Sequence, residues 1–224
     1  NIQNTINNKQ EVWIGVDLGT TGVRAIAYDV EGQKYCSSEA FYPLLTPHPD
    51  WAEENPLQIF ESVEKVIKET AAELRYKNCL LQGIALSTVM HSFAGLDEHY
   101  EPLMDMQTWA DSRSASIVKE MKQDEKLCRS FYEKTGCPIH ACYPLAKVIW
   151  LRRNHPEIFQ QMRYVGSLKD YIFRGLTGEW LIDHSAASTS GMYNEKNMDW
   201  DDEILAYAGL RREQMPKIVS TTYM

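Results

Sequence analysis

The sequence lacks a long hydrophobic run, since no apolar stretch approaches the ~18 residues that a membrane-spanning helix needs. It does not open on a basic segment followed by an apolar one, the pattern typical of a secretory signal peptide. Cysteine is scarce and odd in number, with 5 residues scattered through a chain of 224, which does not suit a disulfide framework. We therefore expect a cytoplasmic protein that keeps its thiols reduced.

Basic residues are also in deficit. Lys+Arg 23 against Asp+Glu 31 leaves a formal net charge of −8. An acidic surface repels phosphate backbones and anionic lipids, so we expect neither nucleic acid nor a membrane as a partner. A small anionic ligand held by a few placed donors is still compatible with this charge. Residues 1–10 are nearly all polar, and we expect them to form a disordered leader.

The first ordered elements are three strands. Residues 12–18, 22–29 and 33–42 are short runs rich in β-branched or aromatic residues, separated by Gly-containing turns. Connections this short join antiparallel neighbours, because a parallel return needs a crossover of about a dozen residues. The pattern therefore predicts a β-meander.

A helix follows the meander. Asn55, Pro56 and Gln58 give it a start signal, and apolar residues at helical spacing predict one buried face: Phe60, Val63, Ile67, Ala71 and Leu74. The apolar run 79–87 is typical of a strand buried on both faces. Further helices are predicted at 112–123, 125–135, 144–154, 168–176 and from 199 or 200 to 208. This order indicates an α/β domain with a mixed sheet flanked by helices.

Residues 15–24, GVDLGTTGVR, carry the sharpest chemical signal. An acidic residue ends a buried strand, and a tight turn then offers hydroxyls and backbone N–H groups to a phosphate, with Asp17 placed to hold Mg²⁺. The candidate phosphate contacts are Gly19, Thr20, Thr21, Gly22 and Arg24. A hairpin whose Gly and Thr residues only satisfy turn geometry is an equal alternative on turn chemistry alone. A strand follows the turn and no GKS or GKT occurs, which excludes a dinucleotide fingerprint and a P-loop.

This hairpin resembles the first phosphate motif of the actin/Hsp70/sugar-kinase group. Three further segments, WAEENP at 51–56, STVMHS at 87–92 and TWADSR at 108–113, resemble the FGGY carbohydrate kinase family. The resemblance runs from about residue 11 to the end and implies a ribonuclease H-like/actin-like ATPase domain. Within the family, the S-x-x-M-H and W-A-D-x-R pair is most similar to gluconokinases, with xylulokinases next.

The resemblance implies that Met90, His91 and Asp111 line a sugar site. It also implies that Asp17, Thr20, Thr21 and Arg24 face the phosphates of ATP and Mg²⁺. Physical chemistry adds Trp109, whose face suits sugar C–H groups, and Arg113, which could pair with a carboxylate bidentately. Glycerol kinases carry Arg-Glu where Met90-His91 stand, so glycerol is not expected as the substrate. Tyr143 is a further candidate for a contact with the sugar.

Each of these residues has an ordinary structural alternative. Without the neighbouring motifs, a lone histidine such as His91 is more often a hydrogen-bonded core group, and Trp109 is also explained as a residue that fills the core. Arg113 could lie on the solvated face of a helix that Asp111 or Ser112 caps. The segment 137–142, CPIHAC, supplies at most three metal ligands with no second pair, so we do not expect a zinc site there.

Kinases of this family are about twice as long and place their general-base Asp in a Gly-Ser-Asp-Gly-like stretch, which is absent here. We expect residues 11–224 to be an N-terminal sugar-binding domain, truncated before that Asp and lacking the C-terminal domain. The resemblance implies ATP-dependent phosphorylation of the terminal hydroxyl of D-gluconate or, alternatively, of D-xylulose. An actin/Hsp70-like nucleotide switch and a non-catalytic sugar sensor are the other hypotheses. Expected partners are a small sugar or sugar acid, the C-terminal domain and, in a homodimer, a second copy.

Overall fold

The computed structural model describes residues 9–223. The strands in chain order are β1 (Glu11–Leu18), β2 (Gly22–Tyr28), β3 (Lys34–Phe41), β4 (Glu53–Glu54), β5 (Leu80–Thr88), β6 (Ala94–Leu96), β7 (Met106–Gln107), β8 (Tyr164–Gly166), β9 (Leu181–Asp183), β10 (Tyr193–Asn194), β11 (Asp199–Trp200) and β12 (Lys217–Val219). The helices are α1 (Pro56–Tyr76), α2 (Ala115–Met121), α3 (Glu125–Thr135), α4 (Pro144–Asn154), α5 (Pro156–Gln161), α6 (Leu168–Thr177), α7 (His184–Ser188) and α8 (Asp202–Ala208). A 3₁₀ turn spans Arg212–Gln214.

The chain forms two compact units. Of the described residues, unit 1 contains 9–43 and 57–88, and unit 2 contains 44–56 and 89–223. Among the described residues, no helix is both long and apolar enough to cross a membrane. Residues 1–8 of the predicted leader lie outside the described residues, and the Gln10 carbonyl accepts a hydrogen bond from the Leu80 amide at 2.8 Å.

Unit 1 contains a four-stranded mixed sheet in the order β3-β2-β1-β5. The predicted meander is confirmed, since β2 pairs antiparallel with both β1 and β3. β5 returns after α1 and pairs parallel with β1, as a strand that follows a crossover helix must. The strict alternation of exposed and buried side chains along β1 follows from its pleat, which points successive side chains to opposite faces.

Two details of unit 1 differ from the prediction. The buried face of α1 consists of Ile59, Val63, Val66, Thr70 and Leu74, whereas the predicted Phe60, Ile67 and Ala71 are only half-buried. The face is rotated because α1 carries apolar side chains over a wide arc, and tertiary packing selects which part of that arc is covered. β5 was expected to be buried on both faces, but it lies at one end of the described sheet and several of its side chains are exposed.

Unit 2 has a helical core and small two-stranded ladders whose residues are mostly buried. α4 packs against α2, α5 and α8, and seven of its residues are buried, which explains the apolar residues that dominate its first eight positions. The ladders pair β4 with β7, β6 with β8, and β10 with β11 antiparallel, and β9 with β12 parallel. These ladders bring the segments 51–56 and 106–111 side by side.

The predicted helices of unit 2 are present, with two later starts. The helix expected from residue 112 begins at Ala115, because the Asp111 carboxylate is engaged elsewhere and caps nothing in α2. The last helix begins at Asp202, since Asp201 caps it by accepting a hydrogen bond from the Ile204 amide. Gly209 ends that helix in the left-handed conformation, as predicted.

Candidate functional site

The phosphate hairpin, defined as residues 17–24, joins β1 to β2 through a tight turn. The Gly19 amide donates to the Gly22 carbonyl at 2.9 Å, and the strand register places Asp17 opposite Arg24. The side chains of Asp17, Thr21 and Arg24 are exposed, and Thr20 is half-buried. The exposed Asp17 carboxylate at the strand end is a hard oxygen ligand of the kind that Mg²⁺ prefers. The two hydroxyls of the turn beside it can donate hydrogen bonds to a phosphate.

Gly22 has a structural requirement of its own. A Cβ at this position would lie 2.8 Å from the Ala40 carbonyl oxygen and 3.0 Å from the Phe41 ring, so only glycine allows β2 and β3 to approach here. Gly19 is less constrained, because its nearest neighbour would be 3.5 Å away. Packing of β2 against β3 is therefore a reason for glycine at position 22 that is independent of phosphate binding.

Tyr42 holds the backbone of the phosphate hairpin through hydrogen bonds, a role that the sequence analysis missed. Its hydroxyl lies 2.7 Å from the Gly19 carbonyl and 3.2 Å from the Gly22 carbonyl, and its amide donates to Thr21 O at 3.2 Å. A single buried tyrosine thus contacts three backbone oxygens of the turn. Its position at the end of the predicted third strand was visible, but nothing in the sequence indicated which way its ring points.

Arg24 is paired within its own sheet. Its guanidinium contacts Glu39 on β3, with Nη2 and Nε at 2.8 and 3.1 Å from the same carboxylate oxygen. Both side chains are about half exposed, so solvent weakens this ion pair. The guanidinium can therefore exchange a carboxylate for a phosphate group at low cost.

In unit 2, Met90 and His91 form a bend directly after β5. Met90 is 46% exposed, which is high for an apolar side chain at a strand end. His91 is half-buried and has a φ of +68°, a left-handed conformation that residues with a Cβ adopt rarely. Its ring packs edge-on against Tyr143 with centroids 5.0 Å apart. The structure thus brings Tyr143 beside His91.

The His91 ring has a defined tautomer. Its Nδ1 lies 3.0 Å from the Thr189 carbonyl, and because a carbonyl only accepts, Nδ1 carries the proton and Nε2 is the acceptor. Burial lowers the pKa of His91, and the nearby Lys147 and His140 lower it further, while the Thr189 hydrogen bond opposes them. His91 is therefore a neutral hydrogen-bonding group, so its use as a cation for a sugar-acid carboxylate is disfavoured.

Trp109 lies in the turn that follows β7. Its side chain is 49% exposed, so the alternative that it only fills the core is wrong. The Thr108 amide donates to Ala52 O at 2.9 Å, and the Asp111 amide donates to Thr108 O at 3.1 Å. These two bonds define the turn that presents the indole.

Asp111 and Arg113 point into unit 2. Their side chains are 0% and 3% exposed, so the alternative that Arg113 lies on a solvated helix face is wrong. The Arg113 guanidinium donates to Asp111 through Nε at 2.9 Å and through Nη2 at 2.6 Å, and Nη2 also donates to Glu53 at 2.7 Å. Its Cζ lies 3.5 Å from the centre of the Trp51 ring. Both Asp111 oxygens are engaged, since Oδ2 also accepts from the Ala52 amide.

The carboxylate of Glu53 completes this arrangement. Burial raises the pKa of Glu53, and the hydrogen bond from Arg113 lowers it again in part. Sequence reasoning used Glu53 only as part of the WAEENP pattern. Its pairing with an arginine 60 positions later could not be inferred from spacing.

The cysteine segment at 137–142 shows no metal geometry. The Cys137 thiol lies 3.2 Å from the Ser188 carbonyl, and His140 Nδ1 accepts from the Cys142 amide at 3.1 Å. Across residues 9–223, no group of three or more His, Cys, Asp or Glu side chains is arranged to hold a metal ion.

Comparison with known proteins identifies the family. Residues 12–224 match the FGGY family of carbohydrate kinases, N-terminal domain. The chain is 36% identical over 209 residues to a gluconokinase of Bacillus subtilis (strain 168), covering 93% of this chain and 40% of that protein. A gluconokinase of Bacillus licheniformis is 37% identical over 211 residues, with the same coverage.

Solved structures agree. The gluconate kinase of Lactobacillus acidophilus superposes with a TM-score of 0.88 at 34% identity, over 93% of this chain and 42% of that one. A ligand-bound xylulose kinase from the same organism gives the same values, and the predicted actin-like ATPase fold is confirmed. The chain thus spans about 40% of the length of the curated relatives it matches. The chain belongs to the FGGY family of carbohydrate kinases, as its hairpin and its Met-His and Trp-Ala-Asp segments predict.

Proposed function

We propose that the protein containing this chain is an ATP-dependent kinase that phosphorylates the terminal hydroxyl of a sugar acid, D-gluconate above all. The observation that carries the proposal is the presentation of Met90, His91 and Trp109. Two exposed apolar side chains and a neutral imidazole stand on turns whose hydrogen bonds are buried or partly buried. The identity of 36–37% to two gluconokinases supports the substrate class.

The chemistry of these side chains suits a polyol. Trp109 offers an apolar face to sugar C–H groups, and Met90 adds a second apolar contact. His91 Nε2 can accept a hydrogen bond from a hydroxyl, because its Nδ1 proton is already donated to Thr189. A nucleotide switch of the actin/Hsp70 type has no need for such a surface, and family membership also argues against it.

Asp111 and Arg113 were expected to contact the substrate, and we now propose that they act as positioning residues. A sugar-acid carboxylate would compete for the Arg113 guanidinium with two buried carboxylates of the protein. We therefore assign the substrate carboxylate to backbone N–H groups or to the C-terminal domain. Asp111, which holds the Ala52 amide and Arg113, would keep segments 51–56 and 108–113 together.

The phosphate hairpin would bind the phosphates of ATP. Asp17 would hold Mg²⁺, and the hydroxyls of Thr20 and Thr21 with the Gly19 and Gly22 backbone would orient the transferring group. Arg24 would leave Glu39 to meet the phosphate. Mg²⁺, when bound, neutralises charge on the transferring phosphoryl group, and the remaining requirement on the protein is positioning.

Three further statements belong to this proposal. Residues 11–224 form an N-terminal sugar-binding domain, and a C-terminal domain of the same protein completes the enzyme with the general base. The coverage of about 40% of the relatives supports this division. The protein works in the cytoplasm. A homodimer stays a prediction.

Xylulokinase activity is the second candidate. A xylulose kinase structure matches this chain as closely as the gluconate kinase structure does, with the same TM-score and identity. Trp109-Ala110-Asp111 favours gluconate, because xylulokinases tend to carry Asn where Ala110 stands.

The proposal is tested in the full-length protein by ADP release with D-gluconate, with Trp109→Ala as the variant. We expect the KM for gluconate to rise at least ~10-fold while the KM for ATP changes less than ~2-fold. Tyr132→Ala, which removes an aromatic side chain of similar exposure on α3, is the control and should change neither. Equal kinetics for wild type and Trp109→Ala would contradict the assignment of the sugar site.

A further inference from the structure

Lys147 is a buried charged side chain that belongs to a segment resembling the family, but neither the sequence analysis nor the proposed chemistry gives it a role. It lies in the first half of α4 with 0% exposure, and the other buried residues of that helix are apolar. Burying an ammonium group is costly unless its hydrogen bonds are satisfied, so such a residue needs a specific reason.

The hydrogen bonds of Lys147 give a specific reason for its burial. Its Nζ donates to the His91 carbonyl at 2.6 Å and to the Thr108 carbonyl at 2.5 Å. One carbonyl belongs to the bend that presents Met90 and His91, and the other belongs to the residue before Trp109. A single side chain from the core helix of unit 2 therefore joins the backbones of both proposed sugar-contact segments.

The bond to His91 acts on an unusual backbone. The φ of +68° at His91 is rarely adopted by residues with a Cβ and persists only where the surroundings hold it. Lys147 fixes the carbonyl of this residue, while the Thr189 carbonyl fixes its ring. Both the direction of the imidazole and the path of the chain are thus held from within unit 2.

The charges around Lys147 are nearly balanced. Burial lowers the pKa of Lys147 to about 7, Asp111 and Cys142 act to raise it, and Arg113 acts to lower it. Glu53 and Asp111 supply two buried acids against the two buried bases Arg113 and Lys147. Protonated or neutral, the amine retains the two N–H donors that the two carbonyls require.

We propose that Lys147 is a positioning residue that fixes the segments 89–92 and 108–111 relative to each other for binding of the sugar. Its effect on kinetics rests on the proposed function, whereas its effect on backbone order does not. The two can therefore be measured separately.

The first measurement is amide hydrogen exchange of the full-length protein, comparing wild type with Lys147→Met. We expect exchange in 89–93 and 106–111 to be at least ~10-fold faster in the variant, with exchange in α8 unchanged. Lys134→Met is the matched control, since Lys134 lies in the same unit and pairs with Asp201 and Glu203 instead. It should leave both segments as in wild type.

The second measurement is steady-state kinetics on the same proteins. Lys147→Met should raise the KM for gluconate at least ~10-fold and change the KM for ATP less than ~2-fold. Lys147→Gln, which keeps N–H donors on a shorter side chain, should give an intermediate value of both exchange and KM.

Unchanged exchange in both segments, or exchange accelerated equally throughout unit 2, would overturn the proposal. So would the failure of both Lys147 variants to fold, because Lys147 would then be a core-stabilising residue only. If wild type phosphorylates neither gluconate nor xylulose, the proposed function fails, and the exchange result alone still decides the role of Lys147.

Discussion

Removal of the Arg113 guanidinium tests the buried ion cluster, defined as Glu53, Asp111 and Arg113. Arg113→Met keeps an apolar side chain of similar length but leaves two buried carboxylates without their cation. Breaking a buried pair in this way costs about 3–5 kcal/mol, and loss of the stacking on Trp51 adds about 1 kcal/mol. At an m-value of ~2 kcal/mol/M, the urea midpoint of the chain should fall by ~2–3 M.

The assay is urea denaturation followed by tryptophan fluorescence, since Trp51 and Trp150 both lie beside the guanidinium. Burial raises the pKa of Glu53 and Arg113 opposes this rise, so the variant should lose stability as pH rises above the ordinary carboxyl pKa of 4.5 and regain it at lower pH. Adding Glu53→Gln to Arg113→Met should restore part of the stability, because one uncompensated charge is then removed.

Arg153→Met is the matched control for Arg113→Met. Arg153 also forms a bidentate pair, with Glu120, but at an exposed site where solvent screens it. We expect its urea midpoint to equal that of wild type. If the urea midpoint of Arg113→Met also equals that of wild type, Arg113 does not stabilise unit 2 through its buried ion pairs with Glu53 and Asp111.

Three further predictions concern single residues. Asp17→Ala in the full-length protein should lower kcat at least ~10²-fold in a sugar-kinase assay, and ordinary turnover by a folded variant would contradict its role. Gly22→Ala places a Cβ 2.8 Å from a carbonyl oxygen, so it should raise the KM for ATP and lower the urea midpoint, whereas Gly19→Ala should be milder in both assays. Burial raises the pKa of Glu54 to about 7, so stability should fall as pH rises from ~4.5 to ~7. In urea titrations at several pH values, Glu54→Gln should abolish that fall and raise the free energy of unfolding at pH 8 by up to about 3 kcal/mol. Glu61→Gln, at an exposed position, is the control and should show the same fall in stability as wild type.

The elements with strong local signals were predictable from sequence. The meander followed from short connections, α1 from its cap residues and period, and the family from motifs in a fixed order. The rotated face of α1 was not predictable, because a wide apolar arc allows several faces and tertiary packing selects one. The exposure along β5 was missed for a related reason, since an apolar run indicates a strand but not its place in the sheet.

The sequence predicted which residue types form the candidate site, but not which of their side chains point outward and which are buried. Trp109 and Arg113 stand four positions apart in the same motif, yet the indole is half exposed and the guanidinium is buried. Spacing cannot decide this, because the partners of Arg113 include Glu53 from a distant segment. Lys147 and Tyr42 were missed for the same reason, since both act on backbone carbonyls that a sequence pattern does not display.

The most direct test of the proposed function is kcat/KM of the full-length protein for D-gluconate and for D-xylulose, measured at saturating ATP. We predict that the value for gluconate is higher by at least ~10-fold, a difference of about 1.4 kcal/mol in transition-state stabilisation. A value for xylulose that is higher by the same factor would contradict the gluconate assignment. ADP release that neither compound stimulates would contradict the proposed kinase activity on sugars and sugar acids.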